Sequence, residues 1–224
     1  MIDFLYYSAY QSRLNFLFAN IELISENCSN LHQDMFVLAA LNGKTSGTYL
    51  EIGCNDPIVI SNTYLLENTF GWKGVSIDIV DRHVTNFNAN RSNPAYCQDA
   101  LTADYVALTQ SAGLGNVIDY LSVDAEPPAV TFAALKQIPH DVLKFRVITF
   151  EHDYYTGSEG HRIRLESRSY LTALGYELVV NDVASHGCSV EDWYVHPEYV
   201  DRTVIDTIKS ITPELKNHQT YFYK

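Results

Sequence analysis

The sequence predicts an α/β fold: a Rossmann-like, seven-stranded, mostly parallel sheet with helices on both faces and one antiparallel edge strand. Three observations predict it. Short apolar runs alternate with helix-length segments, the pattern of right-handed βαβ units in a parallel sheet. Acids stand at the ends of these runs, at Glu51, Asp78, Asp99, Asp124 and Glu151. The last two runs follow each other with no helix between them, which requires one antiparallel strand.

The elements follow in order. Residues 1 to about 46 read as a helical cap; residues 31–41 are apolar on one side, and Gly43 is placed to end that helix. A lid is the functional alternative to a cap. Residues 48–52 form an apolar strand. Ser61 can cap a helix reaching Phe70, with Gly71 as its terminator. Residues 74–79 are strand two, and Asp81 can cap a helix to Asn90. Residues 95–98 are strand three, followed by a helix over 102–112. Residues 117–123 are strand four. Pro127 and Pro128 suit the first turn of a helix ending near Ile138, where the missing N–H is not needed. Residues 145–150 are strand five, and 159–174 a helix stopped by Gly175. Residues 176–183 and 192–196 are the final strands, joined by the loop ASHGCSV. The tail from Pro197 is mixed. With no repeat, linker or low-complexity segment, the 224 residues read as one domain: cap 1–46, core 47–197, tail 198–224.

Composition limits the function. At 46% hydrophobic and 19% charged residues the chain can bury a full core. A net charge of −12 argues against nucleic acid or an anionic membrane as partner. The N-terminal stretch lacks a basic n-region and is broken by polar residues, so it reads as neither signal peptide nor membrane span. Cys28, Cys54, Cys97 and Cys188 have no zinc spacing and read as reduced thiols of a cytoplasmic protein. The oligomeric state is open, a homodimer being one candidate.

The most informative stretch is residues 48–78, strand, turn, helix, strand, with Glu51 and Asp78 closing the strands. This is the layout of a nucleotide-type site at the carboxyl edge of a parallel sheet. GxGxxG is absent; only Gly53 follows the first acid. That pattern fits S-adenosylmethionine better than NAD.

The block EIGCNDPIVISNTYLLENTFGWKGVSIDI resembles the first motif of FkbM-type methyltransferases. NVIDYLSVDAEPPAVTFAALKQI resembles the family's fourth-strand block, and FRVITFEHDYY with LGYELVVNDVA its C-terminal half. The similarity spans residues 47–197. Pro57 and Pro127 stand where that family usually has glycine, and each removes an N–H and fixes φ. The resemblance implies the class I methyltransferase fold, S-adenosylmethionine as cofactor, and methylation of a hydroxyl on a sugar or small natural product.

The same resemblance gives roles. Gly53 would let the backbone approach the methionine part of the cofactor, although backbone crowding alone would also demand glycine there. Glu51 would organise that loop or accept from the ammonium, with Asn55 and Ser61 beside it. Asp78 would accept the ribose hydroxyls and Ile79 would pack on adenine. Asp99 and Ala100 would meet the adenine edge. Asp124 and Glu126 follow strand four; Glu151, His152 and Asp153 follow strand five. Asp124, Glu151 and Asp153 are hard oxygen ligands that could hold Mg2+, which would acidify the acceptor hydroxyl. His152 is the candidate general base, with Asp124 beside it. Asp124 alternatively bonds cofactor or substrate with no metal. Tyr154, Tyr155 and the loop TGSEG, with Gly157 and Gly160, read as a substrate-side rim, and His186 as part of an overhanging loop. Trp72, Trp193, Tyr194 and His196 read as packing.

Two other classes remain: a non-catalytic binding module on the same fold, and a nicotinamide-dependent oxidoreductase. The missing GxGxxG and the lack of a YxxxK pair argue against the latter.

Overall fold

The structure is a computed structural model, and residues 17–211 are described. The part of the expected cap before residue 17 lies outside them, as does the tail beyond 211.

Seven strands form one sheet: β1 (Thr48–Ile52), β2 (Lys73–Asp78), β3 (Ala95–Cys97), β4 (Val117–Val123), β5 (Lys144–Glu151), β6 (Glu177–Ser185) and β7 (Cys188–Val195). Their order is β3-β2-β1-β4-β5-β7-β6. Strands β1 to β5 pair in parallel, and β7 runs antiparallel to both β5 and β6 at that edge. The order reverses between β1 and β4, so the crevice over their carboxyl ends is the topological switch point where such sheets bind ligands.

The helices are α1 (Gln33–Ala40), α2 (Tyr64–Asn68), α3 (Asp81–Asn90), α4 (Tyr105–Ser111), α5 (Pro128–Gln137), α6 (Ser158–Ala173) and α7 (Arg202–Ser210). They cover both faces. Tyr49, Val147 and Trp193 point to one core with α1, α2 and α7. Their neighbours Leu50, Ile148 and Tyr194 point to the other, with α4, α5 and α6. This is the side-chain alternation of strands buried on both faces. All eight residues of α1 are buried, and Phe36 stacks on Trp193 with centroids 4.6 Å apart. So this helix is a packed cap rather than a lid. Gly43 ends it as expected, at φ +65° with its N–H donating to the Leu38 carbonyl at 2.7 Å.

Several boundaries differ from expectation for local reasons. The expected helix from Ser61 to Phe70 shrinks to α2. Ser61 Oγ accepts the Tyr64 N–H at 3.2 Å, and Asp56 Oδ1 accepts from Ile58 and Val59 at 3.0 and 2.8 Å, so residues 56–61 form turns. Asp81 opens α3 but does not cap it. The carboxylate at this helix start is Asp78, which takes the Val80 N–H at 2.8 Å. Helix α4 starts at Tyr105 because Asp104 caps it through the Ala107 N–H. The expected loop ASHGCSV is mostly strand. His186 and Gly187, both at positive φ, make a two-residue hairpin turn. His186 is therefore a turn residue. No helix among the described residues is long and apolar enough to cross a membrane. The four cysteines are free.

Candidate functional site

Because β1 to β5 are parallel, their carboxyl ends share one edge, and the acids that close them meet there. Glu51 lies just inside that edge. It is 2% exposed, and its carboxylate accepts from Ser76 Oγ at 2.6 Å and from Thr63 Oγ1 at 3.1 Å. Burial pushes its pKa up to about 7, against the pull of Arg91. Its partners are all internal, so it organises the turn.

Gly53 follows at φ +88°, with its N–H on the Ile77 carbonyl at 2.9 Å. A Cβ here would stand 1.7 Å from the Asp124 carbonyl oxygen. The chain leaving β4 crosses over this residue, with the Asp124 N–H bonded to the Ile52 carbonyl at 3.0 Å. Crowding by Asp124 is thus sufficient to require the glycine.

Asp78 closes β2. One oxygen takes the Val80 N–H; the other takes the Asn55 N–H at 3.1 Å and lies 3.2 Å from His83 Nδ1. The carboxylate thereby holds the loop after β1 to the start of α3. An open cleft of about 380 Å³ lies beside it, lined by Asn55, Asp56, Arg82, His83 and Asn86. Ile79, the next residue, is 69% exposed. A large apolar side chain in water beside a nearly buried acid suits a nucleoside: the acid for ribose hydroxyls, the side chain for the base. A carboxylate has about four lone-pair sites, so these bonds leave it able to accept more. Asp99 is exposed and its Oδ1 takes the Leu101 N–H at 2.9 Å; the Ala100 carbonyl takes the Tyr105 hydroxyl at 2.7 Å. These residues of the S-adenosylmethionine set share one edge, and Asp78 with Ile79 gives it the most suitable contact. Ser61 stands apart, buried under Arg91, and supports the loop.

Across the switch point, Asp124 after β4 and Glu151 at the end of β5 hydrogen-bond through their carboxyl groups. Two carboxyl groups can do so only if one carries a proton. Burial, then Asp124 and Asp153, hold the Glu151 carboxyl well above the usual range, so Glu151 keeps the proton. Burial, with Asp153 and Asp78, also raises Asp124, and burial with Asp153 and Asp124 raises Glu126 at the rim. Asp153 is 2% exposed, and one of its oxygens, Oδ1, has no hydrogen-bond partner. The Glu151 carboxyl and the Tyr155 hydroxyl reach the Asp153 side chain.

Two expectations are corrected here. His152 is not placed as a base. Its ring is fully buried, Nδ1 takes the Tyr154 N–H at 3.2 Å, and Nε2 faces Asp192 Oδ1 at 3.6 Å. Neither nitrogen is open to a substrate. Asp124, Glu151 and Asp153 do come together, yet not as a metal-ligand set. Among the described residues the set whose ligand atoms all lie within 4.8 Å of one another is His152, Asp182 and Asp192. Guanidinium groups already neutralise that set: Arg164 is 2.7 Å from Asp182, and Arg168 is 2.9 Å from Asp182 and 2.7 Å from Asp192. The residues therefore do not fit the expected Mg2+.

The main residue missed from the sequence is Arg91. Its side chain is 1% exposed and bonds Glu67, the Pro57 carbonyl (2.9 Å), Ser61 Oγ (3.2 Å) and Thr63 Oγ1 (3.0 Å). One guanidinium thus holds the whole loop after β1, and Pro57 is built into it through its carbonyl. Pro127 sits at the cap of α5, where it displaces no helical bond. Of the expected rim, Tyr155 is 54% exposed, whereas Tyr154 is sandwiched between His161 (3.9 Å) and Arg164 (3.8 Å). Trp193 and Tyr194 are core, as expected.

No family model matches this sequence, and no curated protein matches it either. The FkbM resemblance therefore rests on the quoted blocks alone. Solved structures do match. The O-methyltransferase from Bacillus cereus, in complex with SAH, is 17% identical; the match covers 80% of this chain and 86% of that one, with a TM-score of 0.52. A Clostridium thermocellum protein assigned as an rRNA methylase is 14% identical over 75% of this chain and 97% of its own, with a TM-score of 0.51. The chain has the seven-stranded, Rossmann-like fold of these methyltransferases.

Proposed function

We propose that this protein is an S-adenosylmethionine-dependent methyltransferase acting on a small molecule. The observation that carries the reading is the pairing of two features on one sheet edge. Nearly buried Asp78 stands beside water-exposed Ile79, and the proton-sharing Asp124 and Glu151 lie across the switch point.

Bound S-adenosylmethionine supplies a methyl group on a sulfonium. Asp78 accepts the ribose hydroxyls, and Ile79 covers the base. Asp124 is the base: it is the ionised partner of the pair, and its raised pKa makes it a stronger base than an exposed carboxylate. Glu151 holds its proton and fixes the Asp124 carboxylate by donating to it. The fold brings acceptor and donor onto one edge, so much of the rate comes from positioning. The quoted motif blocks favour an acceptor hydroxyl on a sugar or natural product. The net charge of −12 favours a small molecule over nucleic acid.

Calorimetric titration with S-adenosylhomocysteine, with and without Mg2+, tests the reading. Binding in both conditions with the same affinity is expected. Absence of binding in both would overturn it and leave the non-catalytic module.

A further inference from the structure

We infer that His83 is a specificity-determining residue of the nucleoside site: its ring fills the Asp78 lone pair that a second ribose hydroxyl needs, so a vicinal diol must displace it. Asp78 is here the ribose acceptor of the methyl-transfer reading, on which this role of His83 rests.

The donors around Asp78 are spread unevenly over its two oxygens. Among the described residues, Oδ1 accepts the Val80 N–H alone, at 2.8 Å. Oδ2 accepts the Asn55 N–H at 3.1 Å and meets His83 Nδ1 at 3.2 Å, with the Cys54 thiol at 3.9 Å. A carboxylate only accepts, which assigns the proton of the His83 contact to Nδ1. Each carboxylate oxygen has about two lone-pair sites, so Oδ2 is full and Oδ1 has room for one more donor. As it stands, Asp78 can take one hydroxyl. The two adjacent hydroxyls of a ribose need two open sites, so one donor on Oδ2 has to leave.

His83 is the donor that can leave. The Val80 and Asn55 N–H groups belong to the backbone. Val80 stands at the cap of α3, and Asn55 sits at φ +40° in the loop that Arg91 holds through the Pro57 carbonyl at 2.9 Å. The Cys54 thiol is buried and is a weak donor at long distance. The His83 ring turns on side-chain bonds alone, its side chain is 23% exposed, and it borders the open cleft of about 380 Å³. That cleft gives the ring a place to go.

The exchange fixes the direction of the effect. With His83 present, the second hydroxyl forms one hydrogen bond at the expense of another and adds little affinity. With the ring removed, it adds a whole bond to a carboxylate. His83 thus holds Asp78 in the empty site and narrows the preference for ribose over deoxyribose when the site fills.

The test is an NMR titration of the full chain and of His83→Ala with adenosine, 2′-deoxyadenosine and 3′-deoxyadenosine, read at the Ile79 and Val80 amides. The substitution removes a partly exposed side chain from the first turn of α3 and places the best helix former there, so the variant should fold. Adenosine should bind about fivefold tighter to His83→Ala than to the parent, the worth of one hydrogen bond no longer exchanged. Each deoxynucleoside should bind both proteins within about twofold, because one open site suffices for it. In the parent, adenosine should move the nitrogen-15 signal of His83 Nδ1 towards that of a free imidazole, while the deoxynucleosides leave it hydrogen-bonded. Weaker or unchanged adenosine binding by His83→Ala, equal tightening for all three nucleosides, a His83 signal that stays hydrogen-bonded under saturating adenosine, or no adenosine binding by either protein would each overturn the inference. S-adenosylhomocysteine is titrated separately. Failure of that ligand with the adenosine pattern intact would sink the methyl-transfer reading and spare the role of His83.

Discussion

Asp78 and Asp124 carry the same side chain at the ends of parallel strands on either side of β1, yet their surroundings give them different tasks. Asp78 accepts backbone N–H groups on both oxygens and faces His83, a setting that orients its carboxylate for hydroxyl donors. Asp124 faces other carboxyl groups and is held above its ordinary range by burial and by its neighbours. The two should separate experimentally. Asp124→Asn should lower kcat about 100-fold or more, the usual worth of a general base, with S-adenosylhomocysteine affinity within about threefold of the parent. Asp78→Ala should abolish measurable S-adenosylhomocysteine binding by calorimetry. Normal binding by Asp78→Ala would place the cofactor elsewhere. The carboxylates were legible in the sequence because acids at strand ends share one edge in any parallel sheet. The role of His152 was not, because successive residues at a strand end face opposite ways. Glu151 points to the site edge, and His152 points into the contact with Asp192. His152→Ala should therefore cost stability while the folded protein keeps its kcat.

Elements were legible where an apolar run ended at a strong boundary. β1 and β4 begin and end at the expected residues because Gly47 and Gly53 bracket one, and Asn116 and Asp124 the other. Legibility failed where long-range contacts overrode the local pattern. A helix reads as running from Ser61 to Phe70, yet α2 begins only at Tyr64. The loop before it is pinned by Asp56, Ser61 and Arg91, and the arginine reaches it from beyond the end of α3. The last hairpin reads as a loop because its residues are polar, yet its backbone continues the ladder to a two-residue turn. Two substitutions test these joints. Gly53→Ala must hold φ +88° and collide with the Asp124 carbonyl, so urea unfolding should show a loss of about 3 kcal/mol or more. Arg91→Ala leaves the largely buried Glu67 carboxylate without its counter-ion and frees the Pro57 carbonyl and Ser61, an expected loss of about 3 kcal/mol. Arg91→Lys should recover little of it, since one ammonium cannot span the fork.

At the scale of the whole molecule, buried acids set how stability depends on pH. Burial pushes Asp34 up to about 6, Glu51 to about 7 and Glu191 to about 8. Each binds its proton more tightly folded than unfolded. Each therefore contributes stability that is complete below its unfolded pKa and is lost as pH rises through its folded pKa. Glu67 and Asp192 work in the opposite sense. Arg91 and Arg168 hold them below their ordinary range despite burial, so their contribution is present above the unfolded pKa and is lost on acidification. The two sets predict a maximum near about pH 5, with a decline towards about pH 8. Glu51 alone accounts for on the order of 3 kcal/mol of that decline, from a rise of its pKa from 4.5 to about 7. Glu51→Gln keeps the shape and can still meet Ser76 and Thr63, but it has no proton to lose. Thermal unfolding of parent and variant at pH values across this range should give a steeper fall for the parent, with the two curves converging on the acid side. Parallel curves would mean that Glu51 is ionised at neutral pH with Arg91 as its counter-ion, and that the loop after β1 is held by an ion pair in place of a shared hydrogen-bond network.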